Sequence, residues 1–104
     1  MRRARVDDNQ AQVVADLRAY GVSITHLHGV AMGCPDILCG WRGRNWLFEI
    51  KDGDKPPSAR KLTLMQERWH ATWDGQADVI TSADEAMVIM QAGFETIPLR
   101  GQVT

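Results

Sequence analysis

The stretch GCPDILCGWRGRNWLFEIK (Gly33–Lys51) decides the fold. Its last six residues, WLFEIK (Trp46–Lys51), alternate in character. Trp46, Phe48 and Ile50 face one way, and Leu47, Glu49 and Lys51 the other. That is a strand with one core face. DILCGW (Asp36–Trp41) reads as the strand before it, and RGRN (Arg42–Asn45) as a tight hairpin connection with Gly43 free to take φ > 0. An antiparallel hairpin sets the start of the first strand beside the end of the second. Asp36 then falls opposite Glu49 or Lys51, so two carboxylates and an ammonium converge near one sheet edge.

Outward from the hairpin, the chain alternates helix and strand. Upstream, a helix runs from about Asp7 to Tyr20 with an inward stripe of Gln10, Val13, Val14 and Leu17, and stops at Gly21. VSITHL (Val22–Leu27) is β-branched and alternating, a strand, and HGVAMG is a loop. Downstream, DGDKPPSARK (Asp52–Lys61) is the most loop-like segment, since Pro56-Pro57 argues against a regular ladder or helix. Thr63 with Gln66 forms a capping-box pattern that opens a helix to about Trp73, with Met65, Trp69 and Trp73 on a shared face. Ala77–Ile80 is a short fourth strand. Ser82 with Glu85 opens a third helix to about Ala92, closed by Gly93. The tail from Phe94 to Thr104 has no helical period, yet Phe94, Ile97, Leu99 and Val103 suggest that it packs on something. The order is α-β-β-β-α-β-α. The fourth strand follows a helical crossover and can lie parallel to the third. The expected fold is α/β: a small mixed β-sheet flanked by helices, in one domain spanning residues 1–104.

Composition agrees with that reading. The 104 residues carry 44% hydrophobic and 24% charged side chains, ordinary values for a globular domain. No apolar run approaches the ~18 residues of a membrane helix. The charged N-terminus argues against a secretory signal, and two cysteines do not make a disulfide scaffold, so a cytoplasmic protein is expected. The net charge of −1 hides an asymmetry. Residues 1–70 hold eleven Lys/Arg against eight Asp/Glu, and residues 71–104 one against five. A basic half is compatible with a polyanionic partner.

Metal-assisted phosphodiester hydrolysis suits the converging charges. Mg²⁺ prefers carboxylate oxygens and water; Asp36 and Glu49 supply two ligands, and the Ile50 backbone carbonyl can add a third. Such an ion polarises a phosphate oxygen and acidifies a bound water. Lys51 can hold or deprotonate that water, or neutralise charge developing on phosphorus.

GCPD (Gly33–Asp36), twelve intervening residues, EIK (Glu49–Lys51) and then LTLMQERW (Leu62–Trp69) together resemble the PD-(D/E)xK nuclease superfamily, and within it the VRR-NUC family. The resemblance covers roughly Asp8 to Glu85. It implies a restriction-endonuclease-like fold, Asp36 and Glu49 as metal ligands, Lys51 as catalytic lysine, and Gln66 as the glutamine of the following helix. It further implies a Mg²⁺- or Mn²⁺-dependent endonuclease acting on DNA, a homodimer cutting branched or junction-like substrates, and a phage or prophage setting. The family's first-helix acid falls at Gln10, which can bind a metal or water through its amide oxygen but brings no charge; Asp7 and Asp8, one turn or less upstream, are the acids that can substitute for it.

Each assignment has a plainer counterpart. Asp36 can be a turn aspartate after proline, Glu49 and Lys51 a solvated strand face, and Gln66 a capping residue. Gln10 can be a tolerated polar residue on a half-buried helix. Arg42, Arg44, Lys55, Arg60 and Lys61 are candidate phosphate contacts or ordinary surface cations. The four tryptophans read as core rather than base-stacking platforms. His26, His28, Cys34 and Cys39 match no zinc-finger spacing. A nuclease-like module that binds nucleic acid without efficient cleavage is the alternative, and Gln10 is the feature favouring it.

Overall fold

The computed structural model describes residues 8–95. Helix α1 (Gln10–Ala19) buries Val13, Val14 and Leu17, the stripe expected from the apolar spacing. Its start lies at Gln10 rather than Asp7, and Asp7 falls outside the described residues. The helix ends in a Schellman arrangement. The Gly21 N–H donates to the Arg18 carbonyl and the Val22 N–H to the Leu17 carbonyl, both at 3.0 Å. Gly21 takes φ +92°, a conformation that costs a residue without Cβ little.

Three antiparallel strands follow: β1 (Ser23–His26), β2 (Ile37–Trp41) and β3 (Arg44–Ile50). A short fourth strand, β4 (Asp78–Ile80), lies parallel to β3, and the sheet order is β1-β2-β3-β4. The domain is therefore a small mixed α/β fold with the expected element order. The β2–β3 connection is tighter than RGRN implies. Arg42 (φ 52°) and Gly43 (φ 81°) alone form the turn, both in the left-handed region that matches strand twist. Arg44 and Asn45 consequently join β3, in register with Trp41 and Gly40.

The core lies on one face of the sheet. Ile37, Cys39, Phe48, Ile50 and Ile80 from the strands meet Val13, Val14 and Leu17 from α1 and Ala83, Ala86 and Met90 from α3 (Ala83–Glu95). Helix α2 (Leu64–Thr72) lies on the opposite face, where Leu47, Glu49 and Lys51 point, and buries none of its own residues. Trp69 and Trp73 stack on each other with centroids 4.8 Å apart, but Trp73 is 45% exposed, so the expectation that it is core does not hold.

Two further expectations change. Pro57 opens a single 3-10 turn (Pro57–Arg60), because a first-turn proline has no helical N–H to lose. Helix α3 continues through Gly93 to Glu95. The missing Cβ at Gly93 faces the Trp46 ring, and Phe94 then packs edge-on to Trp41 (centroids 5.7 Å apart), anchoring the extra turn. Residues beyond Glu95, with Ile97, Leu99 and Val103, lie outside the described residues.

Candidate active site

The β2–β3 hairpin carries the ladder to Ile37 opposite Phe48, one step short of Asp36 and Glu49. Asp36 precedes β2 rather than belonging to it. Its Oδ2 accepts a hydrogen bond from the Ile50 N–H at 2.7 Å, which fixes the carboxylate at the C-terminal end of β3. The Ile50 side chain is buried in the core. What the structure documents for Ile50 is therefore a backbone donor that orients Asp36.

Glu49 and Lys51 are not a solvated face. Glu49 is 2% exposed and Lys51 8%, with Lys51 Nζ 3.8 Å from Glu49 Oε2. Burying opposite charges is tolerable only where hydrogen bonds satisfy the remaining donors and acceptors. Gln66 supplies them. Its Nε2 donates to Glu49 Oε2 at 2.8 Å, and its Oε1 accepts from Lys51 Nζ at 3.0 Å. The same Oε1 accepts from the Thr63 N–H at 2.9 Å, while the Thr63 hydroxyl accepts from the Gln66 N–H at 3.2 Å. The capping box expected from sequence is thus present, and it is also what aims Gln66 at the pair. One side chain thus both caps α2 and bonds to Glu49 and Lys51.

Helix α2 is seated on the sequence upstream of Asp36. Gly33 takes φ +84°, and a Cβ there would collide with the Met65 carbonyl. The GCPD segment therefore packs directly against the first turn that holds Gln66. The spacing of these residues in sequence becomes contact through this glycine.

Asn9 is a site neighbour that sequence reasoning missed. Its Nδ2 donates to the Lys51 carbonyl at 3.0 Å and the Thr81 carbonyl at 3.1 Å, tying the N-cap of α1 to the ends of β3 and β4. The available signal was an N-cap asparagine directly before Gln10. Asn9 Oδ1 and Gln10 Oε1 are both buried acceptors without a hydrogen-bond partner. Asp52 was missed as well; it is buried, and its Oδ1 accepts from the Asp54 N–H at 3.0 Å to shape the exit from β3.

The candidate DNA-binding cations fall into two groups. Arg42 and Arg44 sit at the hairpin end, Arg44 about 23 Å from Lys51 at ~3.3 Å per strand residue. Both lie over the Phe94 ring, at 5.0 and 4.2 Å, and Arg44 Nη1 donates to the Gly93 carbonyl at 2.9 Å. Lys55, Arg60 and Lys61 lie on the segment that leaves the site end of β3. Lys55 Nζ is 3.8 Å from Asp8 Oδ2, Arg60 has a buried Nε without a partner, and Lys61 is exposed.

Among the described residues, no three His, Cys, Asp or Glu side chains gather as a metal-binding group. An all-protein cage does not fit this donor set. Two carboxylates at a strand end do fit a hydrated Mg²⁺ or Mn²⁺, which keeps several waters and takes one or two carboxylates. Asp36 and Glu49 are the residues that would hold it; Gln10, with its buried and unpartnered amide oxygen, follows Asn9, which binds the Lys51 carbonyl. Of the four His and Cys candidates, Cys39 is fully buried in the core, where desolvation pushes its thiol up to about 12. No described helix is long and apolar enough to cross a membrane. Comparison with protein-family models, with curated proteins and with solved structures returned no match.

Proposed function

We propose that the domain is a Mg²⁺- or Mn²⁺-dependent endodeoxyribonuclease of the PD-(D/E)xK type, resembling the VRR-NUC family. The observation that carries this is the Gln66 bridge. One amide holds a buried carboxylate and a buried ammonium side by side, at the strand end where Asp36 is pinned by a backbone N–H. A stability role alone explains such a cluster poorly, since a buried ion pair is often no better than apolar packing.

A bound divalent ion would polarise a phosphate oxygen and acidify a water. Asp36 and Glu49 hold oxygens at fixed positions for it. Lys51 presents a cation whose donors are only partly used by Gln66, and it can orient the attacking water or offset charge on the phosphorane. Gln66 bonds to both Glu49 and Lys51, whose charged atoms lie 3.8 Å apart, and so fixes the position of each. Lys55, Arg60 and Lys61 would carry the strand beyond the scissile phosphate. A homodimer would present two such sites by symmetry to the two strands of a branched substrate.

The second reading is a nucleic-acid-binding module that cleaves weakly or not at all. It is favoured by Gln10 where the family carries an acid, and by the absence, among the described residues, of a group of three metal-ligating side chains. Incubating the protein with linear, flap and four-way junction DNA in Mg²⁺, Mn²⁺ or chelator separates the two. Metal-dependent nicking supports the nuclease; binding without nicking in either metal supports the module.

A further inference from the structure

The loop between β1 and β2 leaves its two apolar tips uncovered. Val30 is 68% and Met32 74% exposed, the highest values among the large apolar side chains described. The loop itself is tightly built. The Val30 N–H donates to the Leu27 carbonyl at 3.0 Å, the Cys34 N–H to the Ala31 carbonyl at 3.3 Å, and the Leu27 N–H to the Asp36 carbonyl at 2.9 Å. Gly29 (φ +83°) and Gly33 (φ +84°) bracket the tip, and Gly33 is seated on α2. The segment from Leu27 to Asp36 curls around a cavity of about 490 Å³ that opens beside the candidate site. Val30 and Met32 line that cavity while most of their surface stays in solvent, on a backbone tied by these three hydrogen bonds.

We infer that Val30 and Met32 form a wedge that inserts against unstacked bases next to the scissile phosphate, selecting DNA that is already open at a branch. This rests on the nuclease reading above. Position supports it: Met32 is four residues from Asp36, at most ~14 Å of chain. A phosphate held at Asp36 therefore puts the loop within about four base steps, at ~3.4 Å each. Chemistry supports it too. Residues 27–35 contain no Asp or Glu to repel a phosphate backbone. Apolar wedges of Met and similar side chains are a recurrent means of filling an opened base step, and opening a stacked one costs a few kcal/mol. Branched DNA spares that cost; intact duplex does not.

The test uses the full chain and its Val30→Ser/Met32→Ser variant. Each is titrated in EDTA onto a three-way branched DNA and a linear duplex, with 2-aminopurine at the branch-point base or its linear equivalent. The same substrates are then cut under single-turnover conditions in Mg²⁺. The double variant is expected to bind branched DNA about tenfold more weakly, some 1.4 kcal/mol. Duplex affinity should be unchanged, and the 2-aminopurine response at the branch should be lost. Met32→Leu, which keeps an apolar tip, should restore most of the preference. An unchanged branch preference and fluorescence response in the double variant, with wild type cutting normally, overturns the wedge and leaves the nuclease reading standing. A change in sedimentation from dimer to monomer, with branch preference intact, would make the loop a self-contact and also overturn it. A wild-type protein that cuts no DNA defeats the nuclease reading itself, and the wedge with it.

Discussion

Removing the Gln66 side chain is the sharpest perturbation of the site that leaves every charged group in place. Gln66→Ala deletes the donor to Glu49 Oε2 and the acceptor for Lys51 Nζ. Hydrogen bonds to charged groups contribute about 1.5–3 kcal/mol each, so the two together set an upper range of about 3–6. Part is recovered, because Lys51 and Glu49 can close the 3.8 Å between them into the vacated space. The lost Thr63 contact adds little, as water reaches that N–H. The net cost is about 2–4 kcal/mol, which for a domain near this size lowers Tm by roughly 8–30 °C at ~4–8 °C per kcal/mol. Thermal melts followed by circular dichroism measure it directly. Gln66→Glu sharpens the test. It keeps an acceptor for Lys51 but places a second carboxylate against Glu49, which raises the new carboxyl's pKa. A folded pKa above the unfolded one means stability that is present at low pH and lost as pH rises through the folded value. The Glu variant should therefore be closest to wild type in acid and fall behind near neutrality. A Gln66→Ala protein melting within ~2 °C of wild type would refute the claim that this amide holds the buried pair.

Three further outcomes follow from the geometry. Gly33→Ala forces a Cβ into the Met65 carbonyl at a positive φ, so it should destabilise the fold by about 1–3 kcal/mol in denaturant melts and also slow cleavage, because α2 carries Gln66. Cys39, with its thiol near 12 against an ordinary 9.0, should resist Ellman's reagent at pH 8 until denaturant is added. Its raised folded value also means that Cys39 lowers stability as pH climbs from about 9 towards 12, since the unfolded thiol ionises first. Replacing Lys55, Arg60 and Lys61 together by Ala should flatten the dependence of log affinity on log salt by about two to three units, at ~0.9 per phosphate contact, whereas Arg42→Ala should leave that slope unchanged.

The parts of the molecule governed by local rules were readable from the chain. Strand alternation at Trp46–Lys51, the stripe on α1 and the Thr63–Gln66 capping box each depend on a period or a dipeptide geometry, and each is present. That Asp36 lies at the end of β3 follows from the hairpin, but the register does not: the turn is Arg42-Gly43 and not RGRN, which sets Asp36 one step beyond the Ile37–Phe48 pair, beside Glu49 rather than Lys51. What could not be read depends on tertiary contact. Burial of Glu49 and Lys51 requires α2 to fold over them, and nothing in EIK announces that cover. Asn9 reaches Lys51 across 42 residues of sequence. Gly93 looks like a stop signal, yet the Trp46 ring beside it and the Phe94 anchor beyond it carry the helix onward. Nothing in RGRN announces that Arg42 and Arg44 lie over the Phe94 ring, a contact made across some fifty residues of sequence.

Cleavage of branched DNA by wild type and Asp36→Asn tests the central claim most directly. The asparagine keeps an oxygen to accept from the Ile50 N–H, so the hairpin end and the Gln66 bridge survive while one negative charge is removed. A hard divalent ion loses one of two carboxylate ligands, and stabilisation of that kind accounts for several kcal/mol of a phosphodiester barrier. The nuclease account predicts metal-dependent nicking by wild type, abolished by chelator, and a single-turnover rate at least ~10³-fold lower in Asp36→Asn at unchanged Tm, each 1.36 kcal/mol being tenfold in rate. Equal rates for the two proteins in Mg²⁺, or nicking by neither in Mg²⁺ or Mn²⁺, would contradict it.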